Sequence, residues 1–158
     1  MKKIWLISII YLALQILLSC KQNADQSREK KMIREMLVTE RKAHFEGNAD
    51  MFINEFADSM ISVNKGVVRI PERKEQRDRI GSYFSSMEFI KWDDMTEPII
   101  EMSPDGKMAY AVVQKRVVVR YPDSTGTQIT DSTDYAWVSI YKKINNDWKV
   151  VCNVSTNK

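Results

Sequence analysis

Tyr135-Ala136-Trp137-Val138-Ser139-Ile140-Tyr141-Lys142-Lys143-Ile144-Asn145-Asn146-Asp147-Trp148-Lys149-Val150-Val151-Cys152-Asn153-Val154 is the stretch on which the fold turns. Two runs rich in aromatic and β-branched residues, Tyr135 to Lys143 and Trp148 to Val154, flank Asn145-Asn146-Asp147. Such runs joined by a short Asn/Asp turn read as two antiparallel strands. In the second run Trp148, Val150, Cys152 and Val154 alternate with Lys149, Asn153 and Ser155, which predicts that the first set faces inward. The first run is less decided. It carries Tyr135, Trp137 and Tyr141 on one face and Ala136, Val138 and Ile140 on the other.

Moving outward, Met108 to Tyr121 is a long strand-like run, broken by Pro122 and a polar loop over Asp123–Thr133. Phe89–Trp92 and Ile99–Met102 are shorter strands, and Pro104-Asp105-Gly106 is a turn. Upstream the period changes from two to between three and four. Ser27 is placed to cap a helix whose Met32, Ile33, Met36, Leu37 and Ala43 form a stripe, ended by Gly47. Asn48 then caps a second helix with Phe52, Ile53 and Phe56 on one side. Met60–Val63 and Val67–Ile70 flank Asn64-Lys65-Gly66 as a hairpin. Pro71 opens a third, charged helix with Ile80, Tyr83, Phe84 and Met87 as its apolar stripe. Helices first and hairpin-linked strands last give an α+β fold with an antiparallel sheet.

This order resembles the nuclear transport factor 2-like superfamily, which includes SnoaL-like cyclases, ketosteroid isomerases and scytalone dehydratase. The resembling residues are Phe45-Glu46-Gly47-Asn48-Ala49-Asp50, Phe56-Ala57-Asp58-Ser59-Met60, Val63-Asn64-Lys65-Gly66, Ser103-Pro104-Asp105-Gly106 and Tyr141 to Val151. They span nearly all of a domain over 28–156. The resemblance implies three N-terminal helices packed in the concave face of a curved antiparallel sheet, a cystatin-like cone whose open end is a pocket. It implies no cofactor.

At the other end of the chain, Lys2 and Lys3 precede a fifteen-residue apolar run, Ile4 to Leu18. That length suits a secretory signal and falls short of the ~20 residues that span a bilayer. Leu17-Leu18-Ser19-Cys20 resembles the lipobox of bacterial lipoproteins, which implies removal of residues 1–19, lipidation of Cys20 and a tether over 20–27. Each buried CH₂ contributes about 0.8 kcal/mol, so two or more acyl chains hold firmly. Lys21 is not the aspartate of inner-membrane retention, which favours the outer membrane of the cell envelope.

The chain of 158 residues has 24 basic and 21 acidic side chains. Loss of residues 1–19 takes Lys2 and Lys3 and no acid, leaving 139 residues with 22 basic against 21 acidic, a net charge of +1. One near-neutral domain does not suit a nucleic-acid partner. With Cys20 lipidated, Cys152 has no disulfide partner and reads as a buried small hydrophobe. A single histidine and no two-histidine spacing speak against a metal site.

Glu40 and His44, four residues apart on the first helix, are the candidate catalytic pair. Glu40 continues the stripe of Ile33, Met36 and Leu37, so it is placed to point inward, where burial raises a carboxyl pKa. The family's isomerases hold an acid/base carboxylate in the cone, and the resemblance leaves Glu40, Asp58, Asp93 and Asp94 open for that role. Many relatives carry a histidine on the last strand near the positions of Cys152, Asn153 and Val154; this chain has none there. Trp92, Tyr110, Tyr135 and Trp137 are candidate walls of an apolar ligand pocket. Arg69, Arg73, Lys74, Arg77 and Arg79, interleaved with acids, read as a solvated helix face. The leading expectation is a lipid-anchored protein that binds a small molecule or a protein partner without catalysis. The alternatives are a cofactor-free SnoaL-like isomerase, cyclase or dehydratase, and a structural module that dimerises through its exposed sheet face.

Overall fold

The computed structural model describes residues 25–157. The expected signal, Cys20 and the first part of the tether lie outside the described residues. Residues 25–46 form the first helix, α1. The chain is already helical at Asp25, so Ser27 sits inside the helix instead of capping it. Residues 25–27, expected in the tether, are thus helical. In α2 (Ala49–Ile53) the expected cap is present, with Asn48 Oδ1 accepting the Met51 N–H at 2.9 Å. Helix α3 (Arg73–Ser85) starts two residues after Pro71, with Glu72 as its N-cap.

Seven strands follow or interleave: β1 (Phe56–Asn64), β2 (Val67–Arg69), β3 (Glu88–Asp94), β4 (Ile99–Met102), β5 (Met108–Pro122), β6 (Gln128–Ile144) and β7 (Asp147–Asn157). Their order is β2-β1-β7-β6-β5-β3, with β4 pairing β5 beside β3. Every neighbour pair among the described residues is antiparallel except β1–β7, which is parallel, so the sheet is mixed. The polar loop expected over Asp123–Thr133 is shorter than its composition suggests. Strand β6 already begins at Gln128, opposite Pro122, because pairing with β5 satisfies the backbone of Ile129 to Thr133.

Two of the hairpins are closed by a pair of residues with positive φ: Lys65 (49°) with Gly66 (76°), and Asn145 (52°) with Asn146 (71°). Both are the two-residue, left-handed geometry that matches strand twist, and asparagine and glycine adopt it most readily. Bulges curve the sheet. Ile90 is the extra residue of β3 against β5, and Val151 is the extra residue of β7 against β6.

The concave face carries the core. Ile33 and Leu37 of α1, Phe84 of α3, Phe89 and Trp92 of β3, Ala111 and Val113 of β5, Trp137 and Tyr141 of β6, and Trp148 and Val150 of β7 pack as one cluster. Among the described residues no helix is long and apolar enough to cross a membrane.

One polar tie fastens α1 to the β6–β7 hairpin. Buried Glu29 accepts from the Trp148 indole N–H at 2.7 Å and pairs with Lys143 at 2.8 Å. Burial opposes its ionisation, but the Lys143 ammonium and the indole outweigh that and hold its pKa below the ordinary value. Glu29→Ala is expected to lower stability by about 2–4 kcal/mol, because it strands a buried indole N–H and a partly buried ammonium. Urea denaturation measures it; a loss under about 0.5 kcal/mol, the level of an ordinary surface change, would show that water replaces the carboxylate.

Candidate functional site

Helix α1 lays Glu40 and His44 against the sheet one turn apart, as their spacing requires. His44 is buried. Its ring stacks on Trp92 at 3.7 Å between centroids and meets Phe52, Phe84 and Phe89 edge-on at 5.1, 4.9 and 5.0 Å. Its Nδ1 lies 2.7 Å from the backbone oxygen of Glu40, so Nδ1 holds the proton of a neutral ring and donates it there. Burial among these rings pushes the imidazole pKa down to about 4. The histidine thus bonds the glutamate's backbone, not its carboxylate.

A cavity of about 230 Å³ opens beside this helix turn. Trp92, Tyr135, Trp137, Tyr83, Phe52 and Phe56 form its apolar walls. Glu40 faces it, and burial pushes its carboxyl up to about 7, with nearby Lys115 working the other way and Asp94 adding to the rise. Glu55 faces the same cavity from the α2–β1 junction. Its backbone oxygen accepts the Val150 N–H at 2.9 Å, which sets it beside β7. Burial, then the charge of Glu40, push its carboxyl up to about 8. Among the described residues neither carboxylate has a hydrogen-bond or ion-pair partner. Two such groups in one enclosure disfavour being ionised together.

Polar groups line the β6–β7 side. Asn153 Nδ2 donates to Ser139 Oγ at 3.0 Å, and Asn64 Nδ2 donates to Ser155 Oγ at 2.6 Å. Buried Tyr141 stands next to them, its phenol pKa raised by burial and then by Glu40, with a hydrogen bond to Ser139 working the other way. The Trp92 indole N–H is buried and has no partner among the described residues.

The structure therefore brings together Glu40, His44, Trp92, Tyr135 and Trp137 of the expected set, and it removes Tyr110. That side chain is 43% exposed on the outer face, next to Val112, Val138 and Ile140. Strand β5 points Ala109, Ala111 and Val113 inward, so Tyr110 between them points out. Of the other carboxylates held open, Asp58 pairs with Arg73 in solvent and Asp93 pairs with Arg41 and Lys91. Asp94 is bound to Lys115 at 2.5 Å. The basic face on α3 is mostly ion-paired, Arg77 with Asp50 and Lys74 with Asp78, while exposed Arg79 reaches the cavity mouth.

The inward set of the last strand is also corrected. After the Val151 bulge the faces exchange, so Asn153 and Ser155 line the cavity while Val154 is exposed and Cys152 only half-buried. A bulge adds one residue without a partner, which inverts a two-residue alternation. Glu55 and Lys115 were missed. For Lys115 the signal was available: it continues the inward series Ala109, Ala111, Val113. Glu55 sits in a connection where no period applies. Among the described residues no group of three or more histidines, cysteines or carboxylates is placed to hold a metal ion.

No family model matches the sequence, and no curated protein does. Solved structures do match the fold. A nuclear transport factor 2-like superfamily protein from Salmonella enterica is 16% identical with a TM-score of 0.69, covering 83% of this chain and 92% of its own. A ketosteroid isomerase-like protein from Erwinia carotovora is 13% identical with a TM-score of 0.64 over 80% of this chain and 94% of its own. A protein from Novosphingobium aromaticivorans, described as having a cystatin-like fold, is 14% identical with a TM-score of 0.62 over 84% of each chain. The chain has the nuclear transport factor 2-like, α+β cone fold.

Proposed function

We propose that this is a lipid-anchored envelope protein whose cone binds one small, mainly apolar molecule without transforming it. The observation that carries the reading is the cavity: an aromatic enclosure of about 230 Å³ that holds two glutamates lacking partners among the described residues. Apolar walls with a few convergent polar groups are the usual make-up of a small-ligand site. The volume lies below the ~300–1,000 Å³ of sites for drug-sized molecules, so the occupant is small. The Leu17-Leu18-Ser19-Cys20 motif supports the anchor, and Lys21 supports the outer membrane.

A second reading, cofactor-free proton transfer of the isomerase or dehydratase kind, is favoured by one observation. Glu40 and Glu55, at about 7 and about 8, titrate where a general acid and base work best. The exposed apolar strip around Tyr110 favours a third, association of two copies through the outer face.

Native mass spectrometry of the exported protein, compared with its denatured mass, separates the three. The expected result is a chain beginning at an acylated Cys20, with one extra small mass released on denaturation and lost in a folded Trp137→Ala variant. Conversion of that compound by the wild type, abolished in Glu40→Gln or Glu55→Gln, would establish catalysis instead. An empty chain at twice the mass would move the search to protein partners.

A further inference from the structure

We propose that the occupant of the cavity is a small organic cation, its ammonium group between Glu40 and Glu55 and its apolar body against Trp92, Trp137 and Tyr83. This rests on the reading of the cavity as a binding site and names the chemistry of what it takes.

Charge balance inside the cavity points to a cation. Glu40 from α1 and Glu55 from the α2–β1 junction face the same space, and each raises the energy of ionising the other. The charges of Lys115 and Lys149 ease the ionisation of Glu40 and Glu55 only in part, since neither ammonium bonds a carboxylate of the pair. Lys115 of β5 is committed to Asp94. Lys149 of β7 donates to the Asn54 backbone oxygen at 2.6 Å. Arg79 of α3 is exposed at the mouth. His44 of α1 is neutral and bonded to a carbonyl. Tyr83 of α3 and Tyr135 and Tyr141 of β6 also line the cavity, and none brings a cation.

Two species are left to complete the compensation of the carboxylates: protons, or a cation that enters. An anion would meet two acids. A neutral ligand would leave both carboxyls to hold protons. A cation lets both ionise, and the walls favour it further, since the faces of tryptophan and tyrosine attract ammonium groups at close range, most strongly where water is excluded. Binding of this kind expels the protons that the carboxyls held, so it tightens as pH rises toward neutrality and beyond.

Benzylammonium and its uncharged counterpart, benzyl alcohol, distinguish the alternatives at nearly constant shape. Each is titrated into the whole protein, reading tryptophan fluorescence and the heat of binding in buffers of different ionisation enthalpy. The expected result is that benzylammonium binds at least about tenfold more tightly, with proton release near pH 7, and that Glu40→Gln and Glu55→Gln each remove most of that preference. Both variants replace a carboxyl by an amide of equal size, so the fold is retained. Equal or tighter binding of benzyl alcohol overturns the cation while leaving a binding cavity. Failure of both probes also overturns it, and the native mass of the protein then decides whether the cavity binds anything.

Discussion

Asp94→Ala is expected to destabilise the protein by about 3 kcal/mol, and Lys115→Met added to it is expected to restore most of the loss. Lys115 is 2% exposed, in the middle of a strand whose inward neighbours are Val113 and Val117. Its ammonium is held by Asp94 Oδ1 at 2.5 Å. Removing one partner of a buried pair leaves an uncompensated charge, which costs about 3–5 kcal/mol. Asp94 is 42% exposed at its side chain, so water takes over part of its role and the lower end applies. Methionine matches the lysine stem in length and brings no charge, hence the recovery. Urea midpoints of the two variants supply the test. An Asp94→Ala protein as stable as the wild type would mean that Lys115 finds another acid. Glu40 is the one whose titration it already influences.

The second large effect is on the pH dependence of stability. Glu40 and Glu55 rise from 4.5 to about 7 and about 8 on folding. A carboxyl with a raised folded pKa binds more protons folded than unfolded, so its contribution is full below the unfolded value and is lost as pH climbs through the folded one. His44 moves from 6.5 to about 4, which has the opposite sign: stability is lost as pH falls below 6.5. The two trends oppose each other in mildly acid solution, and only the carboxyls titrate above it. Stability is therefore expected to fall by a few kcal/mol between about pH 6.5 and pH 8.5. The double variant Glu40→Gln, Glu55→Gln should flatten that slope and be more stable than the wild type at the alkaline end. Denaturation at the two pH values decides, and a flat wild-type profile would show that water reaches the carboxyls freely.

The helices and the hairpin turns were legible because each rests on a local rule, and the cone only through the resemblance of their order to a known family. Asn48 caps α2, Asn145 and Asn146 take the left-handed turn, and the stripe from Ile33 to Leu37 packs against the sheet. Glu40 was legible for the same reason, as one more step of that stripe. Tyr110 was not, because aromatic content says nothing of which face a strand turns to the helices. The parallel partnership of β1 and β7 is a long-range choice between edges, with no trace in either strand alone. Glu55 lies in a connection, where position is decided by the carbonyl it offers to Val150 and not by any repeat.

Val151 has a consequence for tracing descent in this fold. Its insertion sends Asn153 and Ser155 into the cavity without altering either residue, so the wall's chemistry depends on the count of residues as much as on their kind. A gapless alignment through β7 with a relative that lacks the extra residue would match each cavity side chain here with an outward one there. Gain or loss of a single codon, as well as substitution, then changes which side chains such a cavity presents.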